Sequence, residues 1–109
     1  MSGGDRDAAI IPMKSMLDYR SEAMIRNVEM SESMQLAALE CALQAFRRHH
    51  VEQDIAAHIR HEFDERYKPS WHCIVGRSFG GSFSHHSGHF IYFYMRKYAV
   101  LLFKSMQQT

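Results

Sequence analysis

From Phe90 to Met95, and again from Tyr98 to Phe103, every residue is apolar or aromatic, and only the charged pair Arg96-Lys97 separates the two runs. Successive side chains of a strand point to opposite faces, so a sheet built from these segments is apolar on both sides. An antiparallel sheet can leave one face in water only if that face is polar. The remaining sequence holds two helical segments joined by a short connection, and such a pair packs together on one side of a sheet. The second face therefore needs another cover, and a second protein chain is the economical one. A closed homodimer would bring the same patch against itself across a two-fold axis.

The helices are marked by spacing and by charge. Ser31 followed by Glu32 suits a helix start, because a serine oxygen can cap open amides and an early carboxylate matches the positive end of the dipole. Met34, Ala38, Cys41 and Ala45 keep helical spacing up to Arg47 and Arg48, which place cations at the negative end. A second helix begins near Glu52 and Asp54, presents Ile55, Ile59, Phe63 and Tyr67 on one side, and stops at Pro69. His58 and His61 are expected on its solvent side or flank. Strands are expected at about residues 71–76, 79–85, 89–95 and 98–104, with turn signals between them that imply antiparallel hairpins. An earlier strand is expected at 23–28, with Met24, Arg26 and Val28 on one face and Ala23, Ile25 and Asn27 on the other. Residues 1–19 carry Ser-Gly-Gly, scattered charge and Pro12, and read as a flexible extension before a single domain at 20–109. The fold class is α+β, two helices on an antiparallel sheet.

The net charge of +1 gives no field that would draw the chain to phosphate backbones or anionic lipid. The apolar run Ala8-Ala9-Ile10-Ile11 falls far short of the roughly 20 residues that span a bilayer. Neither nucleic acid nor membrane is an expected partner, and two cysteines without paired spacing suit a reduced intracellular setting.

The segment around Phe79 has little bulk: Gly80, Gly81, Ser82 and Ser84 stand where strands carry branched or aromatic residues. Such a strand is either a poorly packed edge or a docking edge that an extended peptide can approach closely. Eight histidines raise the question of a metal, at His58 with His61 or among His85, His86 and His89. Zinc needs about four fixed ligands, and neither set supplies them, so no metal and no cofactor is expected. His72 and Cys73 are neighbours on a strand and point to opposite faces, so the imidazole cannot activate the thiol. No enzyme chemistry is expected.

From Met24 onward the chain resembles the small cytoplasmic dynein light chain family, the dimerisation hub light chains. The residues that carry the resemblance are Ile25-Arg26-Asn27, Met30-Ser31-Glu32, Glu40-Cys41-Ala42, Asp54 to Ile59, Glu62-Phe63-Asp64, Trp71 to Arg77, His89 to Tyr94 and Leu101 to Ser105. The resemblance implies a strand-exchanged homodimer of face-to-face antiparallel sheets with helices outside. It implies that the strand at Phe79 to His85 crosses to the other subunit and that short extended partner segments add beside it in two symmetric grooves. By position, the groove is made of Phe79, Gly80, Gly81, Ser82, Phe83, Ser84 and His85, with Phe90, Tyr92 and Tyr94 on its floor. Asn27, Glu29, Glu52 and Gln53 line its ends.

The same resemblance places His72, Phe79, Ser82, Phe83 and Ser84 at the dimer interface. His72 there would be tolerated neutral and costly charged, which predicts dissociation in acid. The implied partners are the dynein intermediate chain, other proteins with Thr-Gln-Thr-like linear motifs, and a second copy of the chain. The implied location is the cytoplasm and the microtubule-associated dynein complex, or the axoneme of a cilium or flagellum. The alternative role is a structural subunit of an axonemal dynein arm with little general client binding. Three positions depart from the family pattern: Gln53 stands for a usual lysine, Gly81 for a serine and Ser82 for a tyrosine.

Overall fold

The structure is a computed structural model that describes residues 22–77 and 89–105. Its elements are β1 (Ala23–Glu29), α1 (Glu32–Arg48), α2 (Glu52–Tyr67), β2 (Trp71–Gly76), β3 (Phe90–Met95) and β4 (Tyr98–Lys104). The four strands form one sheet in the order β1-β3-β4-β2, with every neighbouring pair antiparallel. The strand expected at 79–85 and the extension expected at 1–19 lie outside the described residues. No described helix is long and apolar enough to cross a membrane.

Both ends of α1 follow from local chemistry. The Ser31 hydroxyl accepts a hydrogen bond from the Met34 amide at 3.2 Å, which satisfies one of the amides a helix start leaves open. At the other end the His49 amide donates to the Ala45 carbonyl at 2.9 Å. The start of α2 differs: Val51 occupies the cap position and has no side chain that can accept a bond, so the first amides of α2 have no side-chain partner there.

α1 packs on α2, and α2 lies along β2. Ala38, Ala42 and Ala45 of α1 are fully buried, and Ile55, Ile59 and Phe63 of α2 meet Trp71 and Val75 of β2 in one core. That core also takes Ile91, Phe93 and Met95 of β3 and Val100 and Leu102 of β4. The α2–β2 junction is held by Asp64: its Oδ1 accepts the Trp71 amide at 2.8 Å, and its Oδ2 accepts Arg60 Nη1 at 3.2 Å. The Trp71 ring stands edge-on to Phe63, with centroids 4.9 Å apart.

The expected alternation in β1 is corrected at its second half. Ala23, Ile25 and Val28 share the core side, whereas Met24 and Asn27 pair with Tyr94 and Tyr92 on the other side. The cause is a β-bulge between Ile25 and Asn27: Arg26 is an extra residue, and every side chain beyond it changes face. Val28 thereby goes in and Asn27 out, the reverse of strict alternation. The histidines of α2 also divide. His61 is exposed, while His58 is half-buried and hydrogen-bonded through Nδ1 to His49 Nε2 at 3.2 Å.

Candidate peptide-binding and self-association face

The side of the sheet away from the helices is ordered by strand register. One row across it runs Glu29, Phe90, Phe103, His72, and the next runs Asn27, Tyr92, Leu101, Ile74. A third row brings Met24 beside Tyr94 and Ala99 beside Gly76. Directly opposite residues of antiparallel strands share a face, with Cβ atoms about 4.5–5.5 Å apart. Five of the candidate groove residues, Asn27, Glu29, Phe90, Tyr92 and Tyr94, are thus gathered on one face. His72 stands on the same face at the far end of the first row.

Tyr92, Ala99 and Leu101 form an apolar cluster separate from the helix-side core, with Tyr94 and Phe103 packed against it. Two features keep the face from being purely apolar. The Tyr92 hydroxyl donates to the Tyr94 hydroxyl at 3.4 Å, and the Arg26 guanidinium lies over the Tyr94 ring, 5.7 Å from its centroid. The bond to Tyr94, followed by burial, raises the Tyr92 phenol above its ordinary value, so it stays protonated. At the other end the exposed His72 imidazole stacks on Phe103 with centroids 5.3 Å apart and planes 28° from parallel.

Glu52 and Gln53 are not brought to this face within one chain. They begin α2, which lies in the helical layer on the opposite side of the sheet. Residues Phe79, Gly80, Gly81, Ser82, Phe83, Ser84 and His85 lie outside the described residues. His72 and Cys73 do point to opposite sides: Cys73 packs against the helix-side core while His72 is on the outer face. Burial pushes both thiols up, Cys41 to about 12, which keeps them protonated and unreactive. Among the described residues no three His, Cys, Asp or Glu side chains gather as metal ligands would.

Sequence reasoning missed Ile74, which is 48 % exposed on the same face beside Leu101. Counting two residues on from His72 would have found it. It also missed Arg26 as part of this face, although alternation with Met24 already points its side chain toward Tyr94.

β2 is an outer strand, with a neighbour on one side only among the described residues. Two helices on one side of a four-stranded antiparallel sheet, with aromatic residues on the other, define a dynein light chain-like fold. The dynein light chain-like domain of the Fasciola hepatica calcium binding protein FhCaBP2 has the same fold. In its mercury derivative the TM-score is 0.66 at 22% identity, over 79% of this chain and 94% of that one. The dynein light chain-like domain of CsTAL3 matches with a TM-score of 0.67 at 11% identity, over 78% of this chain and 94% of the other. At such identities these likenesses show the fold. The family model for dynein light chain type 1 matches residues 22–105, and the chain belongs to that family.

Proposed function

We infer that the chain is a non-catalytic light chain of the dynein motor complex that works as a dimeric adaptor. It binds short extended segments of partner proteins by strand addition in two symmetric grooves. The observation that carries this reading is the register of the outer face, which lines up Asn27, Glu29, Phe90, Tyr92 and Tyr94 on one side of a sheet whose helices lie on the other. We extend the family resemblance to a strand at Phe79 to His85 that passes to the other subunit, and to grooves closed by Glu52 and Gln53 from the second copy's α2. The position of β2, which has a neighbour on one side only among the described residues, supports such an exchange, since an edge of that kind can take a further strand. The uncapped start of α2 leaves amides for a ligand glutamine, whatever the charge at Gln53.

In this reading backbone bonds give affinity to many extended segments, and side pockets choose among them. Two linked grooves raise the apparent affinity for a paired partner by about 10² to 10⁴, so weak single sites suffice. Self-association buries Ile74, Phe103 and His72, with Ser82, Phe83 and Ser84 from the exchanged strand. A charged His72 in that setting is costly, so acid favours monomers. The working location is the cytoplasm with the microtubule-associated dynein complex. The dynein intermediate chain is the first partner to test.

Calorimetric titration with a peptide carrying Thr-Gln-Thr, alongside sedimentation velocity, tests the proposal. Saturable binding at one peptide per chain by a dimer is expected. No binding at high micromolar concentration would overturn the adaptor role and favour an axonemal arm subunit, a reading to which the small residues Gly81 and Ser82 lend weight.

A further inference from the structure

The corner where α1 meets α2 holds a pair of histidines that the peptide-binding reading does not use. His49 follows the last turn of α1, His58 lies on the second turn of α2, and their rings meet edge-on with centroids 5.2 Å apart. The bond between His49 Nε2 and His58 Nδ1 is 3.2 Å long. The other nitrogen of His58, Nε2, is buried and has no hydrogen-bond partner among the described residues. We propose that His49 and His58 form an acid-sensitive clasp: with at most one proton beyond neutrality on the pair it ties the end of α1 to α2, and the second added proton breaks it and loosens the first turns of α2.

The chemistry follows from counting donors. A neutral imidazole offers one N–H and one lone pair, so two neutral rings can share a single N–H···N bond in either direction. When His49 alone is cationic, its Nε2–H still donates to the lone pair on His58 Nδ1, and the clasp holds. When His58 also takes a proton, both facing nitrogens carry hydrogens and the bond is lost. The added proton sits on His58 Nδ1, facing the N–H of His49, and the His58 Nε2–H, already present while Nδ1 accepts, has no acceptor among the described residues to share the new charge.

The surroundings oppose that charge. On the α1 side, Arg48 and His49 face His58; on α2, His61 adds to them, and among the described residues Glu62 alone favours the proton. Burial outweighs Glu62 and holds His58 below its ordinary value of 6.5. An unfolded or opened corner takes up the proton near 6.5, whereas the closed corner resists it. Its stability is therefore whole above that pH and is lost progressively as the pH falls below it.

The corner connects directly to Glu52 and Gln53, so its opening frees the start of α2. The clasp stands whether or not those residues bind a peptide. It also differs from acid dissociation through His72, because corner opening within one chain does not depend on protein concentration, whereas dimer dissociation does.

Ring-nitrogen NMR of the histidines in the full chain, titrated between about pH 8 and 4.5, decides the matter. His58 is expected to titrate with a midpoint below 6.5, and the amide shifts from Val51 to Ala57 to follow that midpoint equally at two protein concentrations. His49→Gln retains a donor for His58 Nδ1 but removes a cation, and the His58 midpoint should rise. A His58 midpoint at or above 6.5, or amide shifts that track only His50 or His61, would overturn the clasp. So would a midpoint unmoved by His49→Gln; if that variant does not fold, the titration of the natural chain still decides.

Discussion

Asp64 offers the sharpest test of how the sheet face is held in place. Its carboxylate ties the last turns of α2 to the buried start of β2 through the 2.8 Å bond from the Trp71 amide. Trp71 is 1 % exposed, so Asp64→Ala leaves a sealed N–H unsatisfied, at about 1–3 kcal/mol. Loss of the ion pair to Arg60 adds about 0.3–0.5 kcal/mol, because Arg60 is 47% exposed and water screens it. Two terms act the other way. Alanine is the better helix former by up to about 0.7 kcal/mol, and a carboxylate near the negative end of α2 is disfavoured by about 0.3–1 kcal/mol. The net expectation is a loss of about 1–2 kcal/mol, a large fraction of a small domain's stability. An asparagine side chain at this position can still accept from the Trp71 amide, so Asp64→Asn should stay within about 0.5 kcal/mol of the natural chain, and Arg60→Ala should cost no more than about 0.5 kcal/mol. Urea unfolding followed by Trp71 fluorescence, at one fixed protein concentration, gives all three values. If Asp64→Ala matches the natural chain, or costs no more than Arg60→Ala, the amide bond does not hold the junction.

Three other outcomes can be checked by simpler means. Because the fold raises the Tyr92 phenol, the unfolded chain releases its proton first as the pH climbs past about 10, so stability present below that pH declines above it; urea midpoints across this range should fall less in Tyr92→Phe, and equal slopes would refute the Tyr92–Tyr94 bond. Both cysteines should resist a thiol reagent in the native protein and react in urea, since Cys41 is held up near 12 and Cys73 is likewise raised; rapid native labelling would show that the core side of β2 opens. Deleting Arg26 should remove the bulge yet keep Ile25 and Val28 inward and Asn27 outward, at a cost of about 0.5–1 kcal/mol for its contact with Tyr94; deleting Ile25 should cost several times more by thermal unfolding, and equal losses would contradict the register.

Much of this architecture could be read from local pattern. Ser31 and Arg47-Arg48 bracket α1, and Pro69 follows α2, because caps, dipoles and proline act within a turn of the residues that carry them. The split of β3 into Ile91, Phe93 and Met95 toward the helices and Tyr92 and Tyr94 away from them follows from a period of two. The candidate site was readable in part. Phe90, Tyr92 and Tyr94 announce themselves as aromatic residues in excess of what one core can use, while Asn27 and Glu29 were placed by family resemblance alone.

The hydrophobic pattern of the chain determined two helices, an antiparallel sheet and a second apolar face, since periodicity is a property of neighbours in sequence. Tertiary structure decided which residues of β1 share that face. The bulge at Arg26 reverses the alternation, and its signal is the pairing of Asn27 with Tyr92 and Val28 with Ile91, contacts between residues more than sixty positions apart. The His49–His58 bond is of the same kind. Each histidine alone resembles an exposed polar residue, and only the angle at which α1 turns into α2 brings their nitrogens within 3.2 Å.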